Sequence, residues 1–163
     1  MPPSERPAPL PLHIVSGGQT GADRAALDAA IRLDLPHGGW VPEGRLAEDG
    51  RIPDRYQVKE LPGAGYQERT ERNVIDSHGT LIVSHGPLTG GSKLTRQFAE
   101  KHGRPILHLD LDEISIDAGA ERIKDWLSTN TILVLNVAGP RASGDPLVYP
   151  AVIDLLISAF DRE

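Results

Sequence analysis

Residues 12–30 read LHIVSGGQTGADRAALDAA, and the change of period inside that stretch decides the fold. Leu12 to Ser16 is a short apolar run that breaks off in glycines. From Ala22 the pattern changes: Ala22, Ala26, Ala29, Ala30 and Leu33 fall on one face of a helix. Strand, tight turn and helix thus follow one another without a linker. The same order returns at Thr80–Ser84 (TLIVS), with the turn GPLTGGS at residues 86–92 and a helix over 93–101 stopped by Gly103 and Pro105. It returns at Ile106–Asp110, with a helix over 118–127, and at Ile132–Val137 (ILVLNV). There the turn AGPRASGDP leads to a helix carrying Val148, Val152, Leu155, Leu156 and Ala159. Continuous apolar strands are buried on both faces, and their alternation with amphipathic helices implies right-handed crossovers. The fold class expected is α/β, doubly wound, a mainly parallel sheet with helices on both faces.

Between Leu35 and Leu61 the pattern weakens. Gly39–Val41 and Gln57–Glu60 read as short strands joined by the charged, turn-rich PEGRLAEDGRIPDR of residues 42–55. A stretch this long without structure is uncommon in a compact domain, so a lid or binding loop is expected over 42–56. A helix over 66–77 precedes the second clear strand. Pro2, Pro3, Pro7, Pro9 and Pro11 remove backbone donors from the first eleven residues, which reads as a disordered tail over 1–11 ahead of one ligand-binding domain over 12–163.

Composition narrows the possible chemistry. A chain of 163 residues that is 39% hydrophobic suits one core. Its formal charge of −6, from 23 acidic and 17 basic side chains, repels polyanions, which argues against nucleic acid and acidic membranes as partners. Cysteine is absent, and with it disulfides, thiolate nucleophiles and cysteine-bound metals. No apolar run approaches the roughly 20 residues that cross a bilayer, and no secretory signal opens the chain. A cytoplasmic location is expected. The six histidines show no metal-binding spacing, and no GxSxG elbow is present, so neither a metal nor a catalytic residue is assigned.

Ligands of open α/β sheets settle beyond the carboxyl ends of the strands, where helix N-termini present unpaired N–H groups and partial positive charge. Three such ends carry glycine-rich loops. Gly17, Gly18, Gln19, Thr20 and Gly21 read either as a tight turn with an ordinary cap or as an anion-binding loop, and they match neither Walker A nor GxGxxG. Ser84 and Gly86 open the second loop, where Thr89, Gly90, Gly91 and Ser92 combine hydroxyl donors with glycines. The third offers Arg141, a fork of donors suited to phosphate or carboxylate unless it is simply a surface side chain. Asp23 either complements the first helix's dipole or touches a ligand hydroxyl. Tyr66, Arg69, Thr70 and Asn73 share a helix face that is polar where a core wants leucine; Arg69 and Asn73 are expected to face the pocket. Trp40 reads as core packing, with ring stacking the alternative. Ile153, Ile157 and Phe160 add apolar surface to the last helix, which either seeks a second subunit or lies deep in the monomer.

SGGQTGADRAALDAA (16–30), YQERTERN (66–73), LIVSHGPLTGGS (81–92) and LNVAGPRAS (135–143) together resemble the molybdenum carrier family, similar to molybdenum cofactor carrier proteins. The resemblance runs from about residue 13 to about 160. It implies a Rossmann-like fold, in the wider group of lysine-decarboxylase-like proteins and cytokinin-activating phosphoribohydrolases. It also implies a homo-oligomer and, as ligand, molybdenum cofactor (molybdopterin), a phosphate-bearing pterin. In the phosphoribohydrolase signature PGGxGTxxE the last residue is a glutamate; GGSKLT places Thr95 there and Ser92 at the threonine. Arg69 matches an arginine of those enzymes, while Thr70 replaces their lysine. Without the carboxylate, glycosidic hydrolysis lacks its acid–base group, so the departure favours a carrier that stores or transfers the cofactor over a hydrolase. A nucleotide-monophosphate phosphoribohydrolase-like enzyme and a nucleotide-derivative sensor are the alternatives.

Overall fold

The computed structural model describes residues 12–161, so the expected proline-rich tail lies outside the described residues. The chain opens with β1 (His13–Val15) and α1 (Ala22–Arg32), then passes through β2 (His37–Gly38). Next comes an excursion of four short strands: β3 (Trp40–Pro42), β4 (Leu46–Ala47), β5 (Gly50–Arg51) and β6 (Lys59–Leu61). The second half runs α2 (Tyr66–Ile75), β7 (Gly79–Ser84), α3 (Gly90–Lys101), β8 (Ile106–Asp110), α4 (Ile116–Asn130), β9 (Val134–Ala138) and α5 (Val148–Phe160). Five strands make one sheet in the order β2-β1-β9-β7-β8, every pair parallel. This is the Rossmann-like α/β architecture expected from the alternating periods.

All six residues of β7 are buried, which is why that strand reads as an unbroken apolar run. On one face of the sheet Ile14, Leu81, Val83, Leu109, Leu135 and Val137 join the helices α1, α4 and α5 in the main core. The alanines of α1 carry no bulk, so that helix lies close against α5. On the other face α2 packs on α3, and α3 on β7 and β8. Ile153 belongs to the main core, and Ile157 and Phe160 pack against it. The apolar surplus of α5 is therefore turned onto the monomer's own core, with Ile157 and Phe160 only partly covered.

The excursion corrects the expectation that the segment 42–56, read as a lid or binding loop, is without structure. β3 pairs in parallel with β6, and β4 with β5 as a small antiparallel hairpin. Val41, Ala47, Ile52, Tyr56 and Val58 close a second core on Leu27 of α1. At its centre the buried Arg45 guanidinium donates to the carbonyls of Ile52, Pro53, Tyr56 and Val58 at 2.9, 2.7, 3.2 and 3.4 Å. An arginine that looks like loop polarity in the sequence is the pin of a folded unit.

Candidate functional site

The sheet order sets the strand ends that carry the three glycine loops, those of β1, β9 and β7, side by side. The first loop meets the third at Gly21, where φ is +81° and an added Cβ would collide with the Pro140 carbonyl and lie 2.8 Å from the Ala142 amide nitrogen. Only glycine fits so close an approach.

Three of the first loop's amides turn inward. The Gly18 amide reaches Ser16 Oγ at 3.4 Å, the Gln19 amide reaches Asp23 Oδ2 at 3.3 Å, and the Thr20 amide reaches Gln19 Oε1 at 3.0 Å. The Gly17 carbonyl accepts from Arg69 Nη1 at 2.7 Å, and the Gly18 carbonyl from Arg24 Nε at 3.1 Å. Thr20 Oγ1 donates to Glu48, at the tip of the β4–β5 hairpin, and accepts from the Ala142 amide at 3.1 Å. Glu48 also takes the Ser143 hydroxyl at 2.6 Å and the Ser143 amide at 3.2 Å. These bonds hold its carboxyl below the usual glutamate range. The first loop is thus a braced wall, with Glu48 tying it to the third. One atom in it stays unpaired: Gln19 Nε2, on a side chain 6% exposed, has no hydrogen-bond partner.

Arg69 and Asp23 form a buried pair at 3.3 Å. Burial pushes the Asp23 carboxyl above its ordinary range, with Arg69 pulling it back. Asn73 does not join them; it spends both ends of its amide on Trp40, accepting from its N–H at 2.8 Å and donating to its carbonyl at 2.9 Å. Trp40 in turn donates its indole N–H to Asp76 at 2.9 Å. Ser84 Oγ donates to the Gly86 carbonyl and lies 2.7 Å from His108 Nε2, while the Gly86 amide donates to Asp110 Oδ1 at 2.8 Å. That amide and the Asp112 amide hold the Asp110 carboxyl low. Ser84 and Gly86 therefore shape the second loop from behind.

The open donors lie at the start of α3. Its N-cap, Thr89, makes no side-chain cap, and the amides of Gly90 and Gly91 have no partner among the described residues. An added Cβ at either glycine would meet nothing within 4 Å. Both line a cleft of about 760 Å³ together with Tyr66, Thr70, Lys93 and Arg141. The guanidiniums of Arg69 and Arg141 lie 5.5 and 5.8 Å from the centre of the exposed Tyr66 ring, one buried and one exposed. The cleft runs into a smaller cavity of about 290 Å³, which adds Gln19, Asp23, Thr89 and Ser92 to the lining. Among the positions expected from the sequence, then, Gln19, Asp23, Arg69, Thr89, Gly90, Gly91, Ser92 and Arg141 converge on one space. Gly17, Gly18, Thr20 and Gly21 build its wall, Ser84 lines a third cavity beside it, and Asn73 and Gly86 face elsewhere.

Lys93 and Glu48 were not anticipated. Lys93 is legible in hindsight as a cation one turn into a helix that opens with two glycines. Glu48 gives no local signal, because its partner Ser143 is 95 residues away.

A mainly parallel sheet with helices on both faces defines a Rossmann-like α/β domain. The chain belongs to the circularly permutated YpsA SLOG family, whose pattern matches residues 14–160. It is similar in structure to a protein from Syntrophus aciditrophicus SB described as "Putative molybdenum carrier protein". The crystal structure of that protein aligns with a TM-score of 0.90 at 58% identity, over 93% of this chain and 96% of the other. No curated protein matches the chain. No helix among the described residues is long and apolar enough to cross a membrane.

Proposed function

We propose that the protein binds and carries molybdenum cofactor, with the cofactor's phosphate seated at the start of α3. The observation that carries this is the pairing of two open glycine amides, at Gly90 and Gly91, with the orphaned Gln19 Nε2 on the wall of the adjoining cavity. A buried amide without a partner costs about 1–3 kcal/mol, which a ligand acceptor restores. Backbone N–H groups at a helix start suit a phosphate, and Lys93 and Arg141 add charge. Tyr66 offers a flat surface for a pterin ring between two guanidiniums. The cleft's volume lies in the range usual for small-molecule sites.

A carrier is favoured over a hydrolase by Thr95. At the place of the hydrolase glutamate its hydroxyl donates back to the Gly91 carbonyl at 2.9 Å and offers no acid–base group.

Mixing the purified protein with the cofactor and measuring retention by filtration tests the reading. Gly91→Leu is the control variant, because Gly91 has an ordinary helical φ and open space in front of it. The variant is expected to fold with stability changed by less than about 1 kcal/mol and to bind at least roughly tenfold more weakly. No retention by the unaltered protein, or equal retention by the variant, removes the proposal.

A further inference from the structure

A third cavity, of about 330 Å³, continues the trough on the far side of the α3 start and shares Thr89, Ser92, Pro140 and Gly144 with the middle one. His85 and Asp145 stand on its wall. They come from two different strand-end loops, and His85 Nδ1 lies 2.6 Å from Asp145 Oδ2. The carboxylate is itself fixed, because Asp145 Oδ1 accepts the Leu147 amide at 3.0 Å and the Asp145 amide donates to the Arg141 carbonyl at 3.0 Å. The imidazole is therefore held in one orientation. Its other nitrogen, Nε2, has no hydrogen-bond partner among the described residues.

We propose that this pair forms a second anion subsite next to the α3 seat, so that the trough also accepts a ligand carrying a diphosphate. The inference rests on the reading above for the seat, but not for the pterin. One phosphate sits at Gly90 and Gly91, within reach of the cleft's cations and of the unpaired Gln19 Nε2. The next sits across Thr89 and Ser92, whose hydroxyls line both cavities, and takes a hydrogen bond from His85 Nε2. Asp145 thus acts as a positioning residue, holding the ring so that its free N–H points at one place. A plain brace between two loops would need only the Nδ1 bond.

Titration calorimetry with inorganic phosphate and inorganic pyrophosphate, without divalent cations, tests this. The unaltered protein is expected to bind pyrophosphate roughly tenfold or more tightly than phosphate, the scale of one added charge-assisted hydrogen bond. His85→Asn retains a side-chain nitrogen for Asp145 and removes the outer one. It should leave the melting temperature and the phosphate affinity unchanged and abolish the preference for pyrophosphate. Equal affinity for the two anions in the unaltered protein overturns the diphosphate subsite while leaving the α3 seat standing. A preference that survives His85→Asn overturns the role of His85 and reduces the pair to a brace. If neither anion binds, the subsite and the seat beneath it both fall.

Discussion

Arg45 sits at φ +55°, in the left-handed region, with its side chain almost wholly enclosed by the second core. That backbone is tolerated because four carbonyl oxygens converge on the guanidinium. Removing the donor leaves those oxygens buried and short of partners, which is the costly direction of the exchange. Arg45→Met, which keeps the bulk of the stem, should lower stability by about 2–4 kcal/mol, read from the midpoint of urea unfolding. A shift within error would mean that water reaches these carbonyls. Gln19 presents the opposite case: its Oε1 is satisfied twice, by the Thr20 and Glu48 amides at 3.0 and 2.8 Å, and its Nε2 not at all. The residue is held firmly by one end, so the other is presented rather than lost to motion.

Among the elements, those that carry their own signal were legible in the residues alone. The apolar run of β7, the alanine face of α1 and the stripe on α5 each follow from local period, because each meets the core over its whole length. The residues alone place the start of α3 three positions late, since Gly90 and Gly91 are poor helix formers and nothing local says that a helix begins on them. That delay hides the main feature of the cleft, whose loop is recognisable but whose open amides are not separable from the closed ones of Gly18–Thr20. β2 and the hairpin are two-residue strands stabilised by partners far along the chain, which no period can reveal. The His85–Asp145 pair, 60 residues apart, is invisible for the same reason. The hairpin's contribution can be measured. Glu48 has its carboxyl held below the ordinary value of 4.5 by bonds from Ser143 and Thr20. The stabilisation it gives is therefore present above that value and lost as pH falls through the lowered one. Glu48→Gln should speed hydrogen exchange of the Ser143 amide severalfold at neutral pH, and the difference should vanish in strong acid. Unchanged exchange at neutral pH would show that the loops hold without the clamp.

For the whole molecule, one carboxylate joins the parts. Asp28 on α1 accepts from Tyr56 of the excursion at 2.6 Å and from Tyr149 of α5. Burial, reinforced by the bond to Asp28, pushes both phenols up to about 12. A folded-state value raised above the ordinary 10.0 contributes stability that is complete below pH 10 and lost as pH rises through about 12. Asp28→Asn should bring both midpoints part of the way down, because burial, the larger cause, remains. Tyrosinate absorbance followed through an alkaline titration reads this, and midpoints that stay put would exclude Asp28 as a cause.

The strand order carries a temporal consequence. Among the described residues β9 is the last strand to leave the ribosome, yet it is the only bridge between the β1–β2 pair and the β7–β8 pair. Until residue 138 has emerged, the nascent polypeptide owns two half-sheets with unzipped inner edges and no finished pocket between them. A chain released before that strand has formed would therefore expose sticky edges of the kind that quality-control chaperones capture.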